Sequence, residues 1–358
     1  MPAVSRETAF SILCKVEAGG YASDLLRTET AALESRDAAL AETVVFGVLR
    51  FQAQLDYLIE RYSGPRRKLD PEVRIALRMG IYQLRYLERI PPHAAVADAV
   101  DLVKRARKRS AAGFVNAVLR KVDRSPVAWP SREIELSCPE WLLARWSARF
   151  GPEAAAAIAR AALQPPATYV RGTRIQDIGS QSIVPLLRLE PGQRFLDLCA
   201  APGNKTAQAL EAGVRAVACD LHFHRLVQMK PLTANLVVLD GTRALPFRRP
   251  FDRILLDAPC SGTGTLGRNP EIKWRLRPED LSAFERRQKA LLANALDLLA
   301  PDGLLVYSTC SLEAEENEEV VRAVAPWPVP DTFLRIPGRD PGDGFEAAVL
   351  KSNKAANG

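Results

Sequence analysis

Two cysteines carry the most specific chemical suggestion in this sequence. Cys260 lies in Leu256-Asp257-Ala-Pro259-Cys260-Ser-Gly262-Thr-Gly264, and Cys310 in Tyr307-Ser-Thr-Cys310-Ser311. A lone cysteine after an apolar run is ordinarily a small buried hydrophobe. Two of them, each following a strand-like run and one preceded by Asp and Pro, suit a shared pocket with a nucleophilic thiol. Carbon 5 of cytosine is a poor nucleophile. A thiolate that adds to carbon 6 turns the ring into an enamine able to take up an electrophilic methyl group. A carboxyl at the ring's N3, a role open to Asp257, would stabilise the charge that develops on the base. The thiol must be partly ionised, and Lys205 is a candidate on spacing for the nearby cation.

A second constellation is Asp197-Leu-Cys199-Ala200-Ala201-Pro202-Gly203-Asn204-Lys205-Thr206. An apolar strand runs into a small-residue turn and then a helix start. Gly203 permits close backbone approach, and the turn amides can receive an anionic group. The spacing matches neither a dinucleotide-binding glycine fingerprint nor a P-loop. Asp220 ends the next apolar run, where an acidic residue can hold a ribose hydroxyl pair. Asp240 ends the third and could receive an adenine amino group. Alone, either aspartate is more often a cap or turn residue. Together with the turn they suggest a nucleoside cofactor without a pyrophosphate.

The elements that must position these groups read as an α/β fold. From about residue 175, apolar runs alternate with helical stretches: 194–199, 216–220, 236–240, 253–257, a helix over 279–299, then a strand over 304–308. This is the pattern of a parallel sheet covered by helices on both faces, which holds ligands at the carboxyl ends of its strands. Residues 1–125 read instead as an all-α bundle. One helix begins at Asp70-Pro71, with Asp70 as N-cap and proline at the first helical position. Residues 126–174 read as a helical connector, in which Trp141, Leu142, Trp146 and Phe150 share an apolar face. The third division is 175–358.

With 358 residues, 47% hydrophobic and 25% charged, the chain is long enough for two cores. A formal net charge of +7 favours polyanionic partners. The six cysteines include no CxxC pair and the histidines number three. Neither a metal site nor a disulfide framework is therefore expected. Cys14 and Cys138 read as structural, and Cys199 and Cys219 as buried strand residues. The N-terminus lacks the charged and apolar segments of a secretory signal. No apolar run approaches the roughly 20 residues of a membrane span. The expectation is a cytoplasmic monomer with no membrane partner.

At these blocks the chain resembles the Sun/Fmu family of bacterial small-subunit ribosomal RNA cytosine-C5 methyltransferases. The resemblance rests on DLCAAPGNKT, DAPCSGTGTLGRNPEIKW, YSTCSLEAEENEEVV and Gly342-Asp343-Gly344-Phe345, in that order, and covers roughly residues 5–350. The bundle resembles the antitermination factor NusB at Gly47-Val-Leu-Arg50, Leu77–Leu84 and Gly113–Arg120. The resemblance implies a Rossmann-like domain that uses S-adenosyl-L-methionine. It implies Cys310 as the nucleophile, Cys260 in product release, and Asp257 on the target base. It implies cofactor contacts from Cys199–Lys205, Asp220, Arg225, Asp240, Gly241, Asp257 and Pro259. Small-subunit (16S) ribosomal RNA is the implied partner.

The chain also departs from the family's pattern. Asn204 stands where a second glycine is usual. The stretches around 174–175 and between Asp220 and Asp240 are short, and Glu346 puts a charge where an apolar residue is usual. These departures leave open an RNA-binding ribosome-assembly factor with an impaired methyltransferase domain. Two basic runs, Lys104–Arg109 and Arg66-Arg67-Lys68, are candidates for RNA docking; without that context each would be an ordinary solvated face. His222 and His224 read as surface residues.

Overall fold

The computed structural model describes residues 3–64, 68–233, 235–325 and 331–352. Arg66 and Arg67 of the second basic run lie outside the described residues. The chain forms two compact units. One runs to Gln164 and includes Asn269–Trp274; the other comprises Pro165–Arg268 and the chain from Arg275 onward.

The first unit is all helical: α1 (Val4–Glu17), α2 (Ala22–Glu29), α3 (Ser35–Arg50), α4 (Gln52–Ser63), α5 (Pro71–Tyr86), α6 (Pro92–Arg105), α7 (Ala112–Leu119), α8 (Arg132–Glu135), α9 (Glu140–Phe150) and α10 (Pro152–Ala161). Helix α5 is buried almost all round, from Val73 to Leu84, as a helix surrounded by others must be. Close packing depends on missing side chains: a Cβ on Gly47 would fall 1.9 Å from the Tyr82 ring. Asp70 occupies the N-cap position of α5, but its side chain makes no capping bond. It is drawn instead to Lys108, 2.9 Å away, a partner 38 positions along the chain. In α9, Leu142 and Trp146 are wholly buried.

The second unit begins with a short antiparallel hairpin, β1 (Val170–Arg171) and β2 (Arg174–Ile175), followed by α11 (Ile178–Gln181). Then come β3 (Arg194–Asp197), α12 (Asn204–Leu210), β4 (Arg215–Asp220), α13 (Phe223–Leu226), β5 (Leu236–Val238) and β6 (Phe251–Asp257). After α14 (Ile272–Arg275) follow α15 (Leu281–Asp297), β7 (Leu299–Thr309), α16 (Glu318–Val324), β8 (Asp331–Arg335) and β9 (Phe345–Lys351). The seven strands β3–β9 form one sheet in the order β5-β4-β3-β6-β7-β9-β8. All pairs are parallel except those made by β9. Side chains alternate between two cores: Leu196, Ile254, Leu256 and Leu305 pack under α15, while Phe195, Leu255 and Val306 pack against Val184 and Leu187. That alternation is why each strand reads as a continuous apolar run.

The chain leaves β3 towards β4 on one side and later returns to β6 on the other. The reversal puts a crevice at the carboxyl ends of β3 and β6. Two elements differ from expectation. The strand over 194–199 ends at Asp197, so Cys199 lies in the following turn and is only half-buried, whereas Cys219 is wholly buried in β4. The 279–299 helix opens with a 3₁₀ turn at Pro278–Asp280 and closes at Asp297, giving way to β7. Among the described residues no helix is long and apolar enough to cross a membrane.

The segment Asn269–Trp274 completes the first unit by capping its helices. Glu271 Oε1 accepts the Ala22 amide at the start of α2 (3.0 Å). Lys273 Nζ donates to the Arg50 carbonyl (2.9 Å) and Trp274 Nε1 to that of Leu49 (2.7 Å), at the end of α3. An acid thus sits at a helix N-terminus and a cation at a C-terminus, the favourable sense of the helix dipole. Lys273 is fully buried, and burial pulls its ammonium down to about 8. Lys273→Ala is expected to destabilise the protein by about 2–4 kcal/mol, through the cavity and the stranded carbonyl. Lys273→Met should lose less, since it keeps the stem and removes the buried charge. Urea unfolding of both variants checks this; equal losses would mean that the stem contributes nothing.

Candidate active site

The turn after β3 is closed by its own backbone and by β4. Gly203 takes φ +101°, and a Cβ there would lie 2.9 Å from Leu232 and 3.0 Å from Met229. No other residue fits this combination of conformation and space. Asp220 holds the turn from the next strand: its Oδ2 accepts the Ala201 amide (3.2 Å) and its Oδ1 that of His222 (2.9 Å). Each of these oxygens keeps a second lone-pair site for a hydroxyl. Arg225 donates to the Ala201 carbonyl (2.9 Å) and Asn204 to that of Ile175 (3.2 Å). Asn204 therefore ties the turn to the hairpin. Asp240 is more withdrawn. Its Oδ1 accepts from the amide and hydroxyl of Thr242 (3.0 and 2.7 Å), bonds that hold its carboxyl below the usual range. Gly241 next to it is buried against Leu291, where a Cβ would come within 2.7 Å.

Asp197 was not singled out as a site residue on sequence. It is buried, its Oδ2 accepts the Thr206 hydroxyl (2.6 Å), and its Oδ1 has no partner. Burial pushes its carboxyl up to about 7. A buried acceptor without a donor is costly and rare in a finished fold. That unpaired oxygen fits a bound molecule that carries a donor group, as a methionine moiety does. The residues therefore suit the cofactor implied by the sequence.

The reacting groups stand at the ends of β6 and β7. Asp257 pairs in register with Ser308, and the Ser308 hydroxyl donates to Asp257 Oδ1 (2.9 Å). Lys205, on the first turn of α12, donates to Asp257 Oδ2 (2.6 Å). The Lys205 ammonium also lies 5.0 Å from the centre of the Phe345 ring. The Asp257 carboxyl is thus oriented through both oxygens. Beyond it, the Sγ atoms of Cys260 and Cys310 are 3.3 Å apart and both residues are half-buried. The hydrogen bond between the thiols, and then burial, hold Cys260 well above the ordinary thiol range. Pro259, beside them, is exposed.

Glycines let three strands of chain cross here. The Gly264 amide donates to the Cys310 carbonyl (2.8 Å), and the Gly344 amide to the Gly264 carbonyl (2.8 Å). A Cβ on Gly264 would lie 2.6–2.7 Å from the carbonyl oxygens of Gly344 and Cys310. Arg268 holds the 342–345 loop from behind. It donates to Asp343 (2.6 Å), Asp177 (2.9 Å) and the Ala167 carbonyl (3.0 Å). Arg268 had no sequence signal, because its partners lie 75, 91 and 101 positions away.

The structure thus brings together Lys205, Asp257, Cys260 and Cys310, and separately joins Ala201, Asp220 and Arg225. Asp240 shares no bond with either group. Among the described residues no three His, Cys, Asp or Glu side chains cluster as metal ligands.

Comparison with known proteins bears on this arrangement. Residues 184–326 match the family model described as 16S rRNA methyltransferase RsmB/F, and residues 3–124 match the NusB family. A probable ribosomal RNA small subunit methyltransferase B of Bacillus subtilis is 30% identical, over 89% of this chain and 87% of its own length. The chain belongs to the RsmB/F family of 16S rRNA methyltransferases. A second member of this family, ribosomal RNA small subunit methyltransferase B of Klebsiella pneumoniae, is 31% identical over 94% of this chain and 95% of its own. That alignment spans 411 positions against the 358 residues here, so the relative carries segments this RsmB/F member lacks. The solved structure of PH0851 shares the fold, with a TM-score of 0.77 over 98% of this chain and 100% of its own at 21% identity. As an RsmB/F protein, the chain is an S-adenosylmethionine-dependent rRNA methyltransferase.

Asp197 supplies a test. Because burial raises its carboxyl, the folded chain holds that proton more tightly than the unfolded one. The stability it contributes is full below the ordinary carboxylate range, about pH 4, and is lost as pH rises through about 7. Asp197→Asn should remove that loss, so the urea midpoint of the variant minus that of the wild type grows steadily across this window. A difference that stays constant with pH would show that the carboxyl titrates normally.

Proposed function

We propose that this protein methylates carbon 5 of a cytosine in small-subunit ribosomal RNA through a covalent bond to Cys310, with Cys260 as its partner thiol. The supporting observation is the 3.3 Å thiol pair beside a carboxyl anchored by Lys205 and Ser308. A single thiol would suffice to attack the ring; the second, in contact with it, suits the reverse step.

In this reading Cys310 gives up its proton and its sulfur bonds to carbon 6. Asp257 carries that proton to N3, which neutralises the charge that moves onto the ring, and takes it back as the ring's double bond is restored, with the Lys205 ammonium behind it. S-adenosyl-L-methionine, when bound, supplies an electrophilic methyl group on a sulfonium. It would be held by Cys199, Ala200, Ala201, Pro202, Gly203, Asn204 and Lys205 in the turn, and by Asp220, Arg225, Asp240, Gly241, Asp257 and Pro259. Carbon 5 must afterwards lose its proton to water before the bond from Cys310 to carbon 6 breaks. Cys260, whose thiol keeps its proton at neutral pH, can hand that proton to the departing sulfur. Its own thiolate is then left to be reset by solvent.

The helical unit, residues 1–125 in the sequence division, is proposed to dock RNA. Part of its basic run is already committed: Lys104 pairs with Asp101, Arg105 with Glu7, and Lys108 with Asp70. Arg107 and Arg109 are exposed and are the better candidates for phosphate contact.

Transfer of labelled methyl to unmodified small-subunit ribosomal RNA, with the nucleosides resolved, tests the reaction; label in 5-methylcytidine is expected. Label in another nucleoside would overturn the site chemistry. Cys310→Ala should lower turnover by on the order of 10³-fold or more, as removal of a nucleophile does. Cys260→Ala should still attack, and should accumulate a denaturant-resistant adduct with RNA. Turnover without Cys310 would sink its role, and the absence of an adduct would sink that of Cys260.

A further inference from the structure

Behind the two cysteines lies a buried carboxylate that the reaction above does not use. Glu316 has no exposed surface. Its Oε1 accepts the Ser261 amide (2.8 Å) and Gln288 Nε2 (3.0 Å). Its Oε2 accepts the hydroxyls of Ser261 and Ser311, the latter at 2.5 Å. Four donors therefore fill the four lone-pair sites of one ionised carboxylate. Ser261 directly follows Cys260, and Ser311 directly follows Cys310. The two serine oxygens are also 3.0 Å from each other.

The geometry points to Glu316 as the positioning residue that clamps the two cysteine-bearing turns together, so that the thiols act as a pair. The inference rests on the reading of Cys310 and Cys260 as reacting groups. Neither turn holds this spacing by itself. The Cys260 turn leaves β6 and the Cys310 turn leaves β7, and beyond Asp257 and Ser308 no strand register ties them. What joins them there is the bond from the Gly264 amide to the Cys310 carbonyl, that from the Leu312 amide to the Thr263 hydroxyl (2.9 Å), and the shared carboxylate. Gln288, on α15, extends the clamp by donating also to the Pro259 carbonyl (3.0 Å), just before Cys260. Glu316 is itself tied down: the Tyr307 hydroxyl donates to its backbone carbonyl (2.5 Å). Asn317, next in the chain, accepts from the Thr309 hydroxyl (2.7 Å) and donates to the Ser311 carbonyl (3.0 Å). Burial pushes the Glu316 carboxyl up, and the bonds from Ser261, Ser311 and Gln288 oppose that shift.

The test reads thiol spacing directly and needs neither RNA nor cofactor, so its failure is separable from failure of the methylation reading. Diamide, a two-electron thiol oxidant, joins two thiols as a disulfide and is itself reduced to the hydrazine. The Cys260–Cys310 disulfide, identified by peptide mapping, should form rapidly in the wild type. Glu316→Ala should slow it by about tenfold or more, and should lower kcat by roughly 30–100-fold with KM for both substrates within about threefold, the pattern of a misplaced reacting group. Glu316→Gln can keep the Ser261 amide on its carbonyl while the two hydroxyls turn to accept from its amide; it should recover most of both losses. If Glu316→Ala does not fold, the Ser261→Ala/Ser311→Ala double variant breaks the same clamp and should show the same two losses. A folded variant that forms the disulfide at the wild-type rate, or one whose loss lies wholly in KM, overturns the proposal.

Discussion

The parallel register between β6 and β7 is the constraint on which the rest depends. It sets Asp257 beside Ser308 and so starts two turns from one point. Both turns carry a cysteine three residues or fewer after the last paired position. Parallel neighbours end at the same edge of a sheet, whereas antiparallel ones would send the two turns to opposite edges. The pairing alone brings thiols 50 residues apart in sequence into one neighbourhood. Hydrogen bonds around Gly264 and Glu316 reduce that neighbourhood to contact distance.

Buried charge is used here to fix geometry. Lys205 faces Asp257, Arg268 spans Asp177 and Asp343, and Glu316 gathers four neutral donors. An isolated buried charge is strongly disfavoured, and a satisfied one has few alternative arrangements. Burial pushes Asp343 up to about 6 even with Arg268 against it. These clusters hold loops that have no regular secondary structure of their own. In such loops a directional bond to a charge replaces the ladder that fixes a strand.

Much of the catalytic unit was legible in the sequence because its strands are buried on both faces and end in acidic residues or cysteines. The thiol pair and Asp257 could be picked out because their residue types are unusual at strand ends, and Lys205 from its spacing in the turn that opens α12. Asp70 marked the start of α5 correctly, but a cap is a local inference and its side chain pairs instead with the remote Lys108. Cys199 misled because an apolar run does not mark where a strand gives way to a turn. Asp240 reads as a ligand by position, and what the structure adds is that its Oδ1 is bonded to Thr242. Glu316 was hidden in Glu-Ala-Glu-Glu-Asn-Glu-Glu, a run that on composition belongs to a solvated surface. Lys273 was hidden likewise, since a lone lysine gives no sign that it lies in a core. Both are buried charges whose partners come from distant elements, and periodicity carries no record of such pairings.

The six residues Asn269–Trp274 have a consequence for the order in which the protein is made. They follow the Cys260 turn in the chain yet cap α2 and α3 in the helical unit. A nascent chain therefore releases the helices from the ribosome well before the residues that finish them. Until the chain has grown by the 223 residues that separate Lys273 from Arg50, the end of α3 must satisfy its last carbonyls with water or with a passing donor. The amino-terminal unit is first to emerge, yet it is finished only after much of the second unit's chain has followed it.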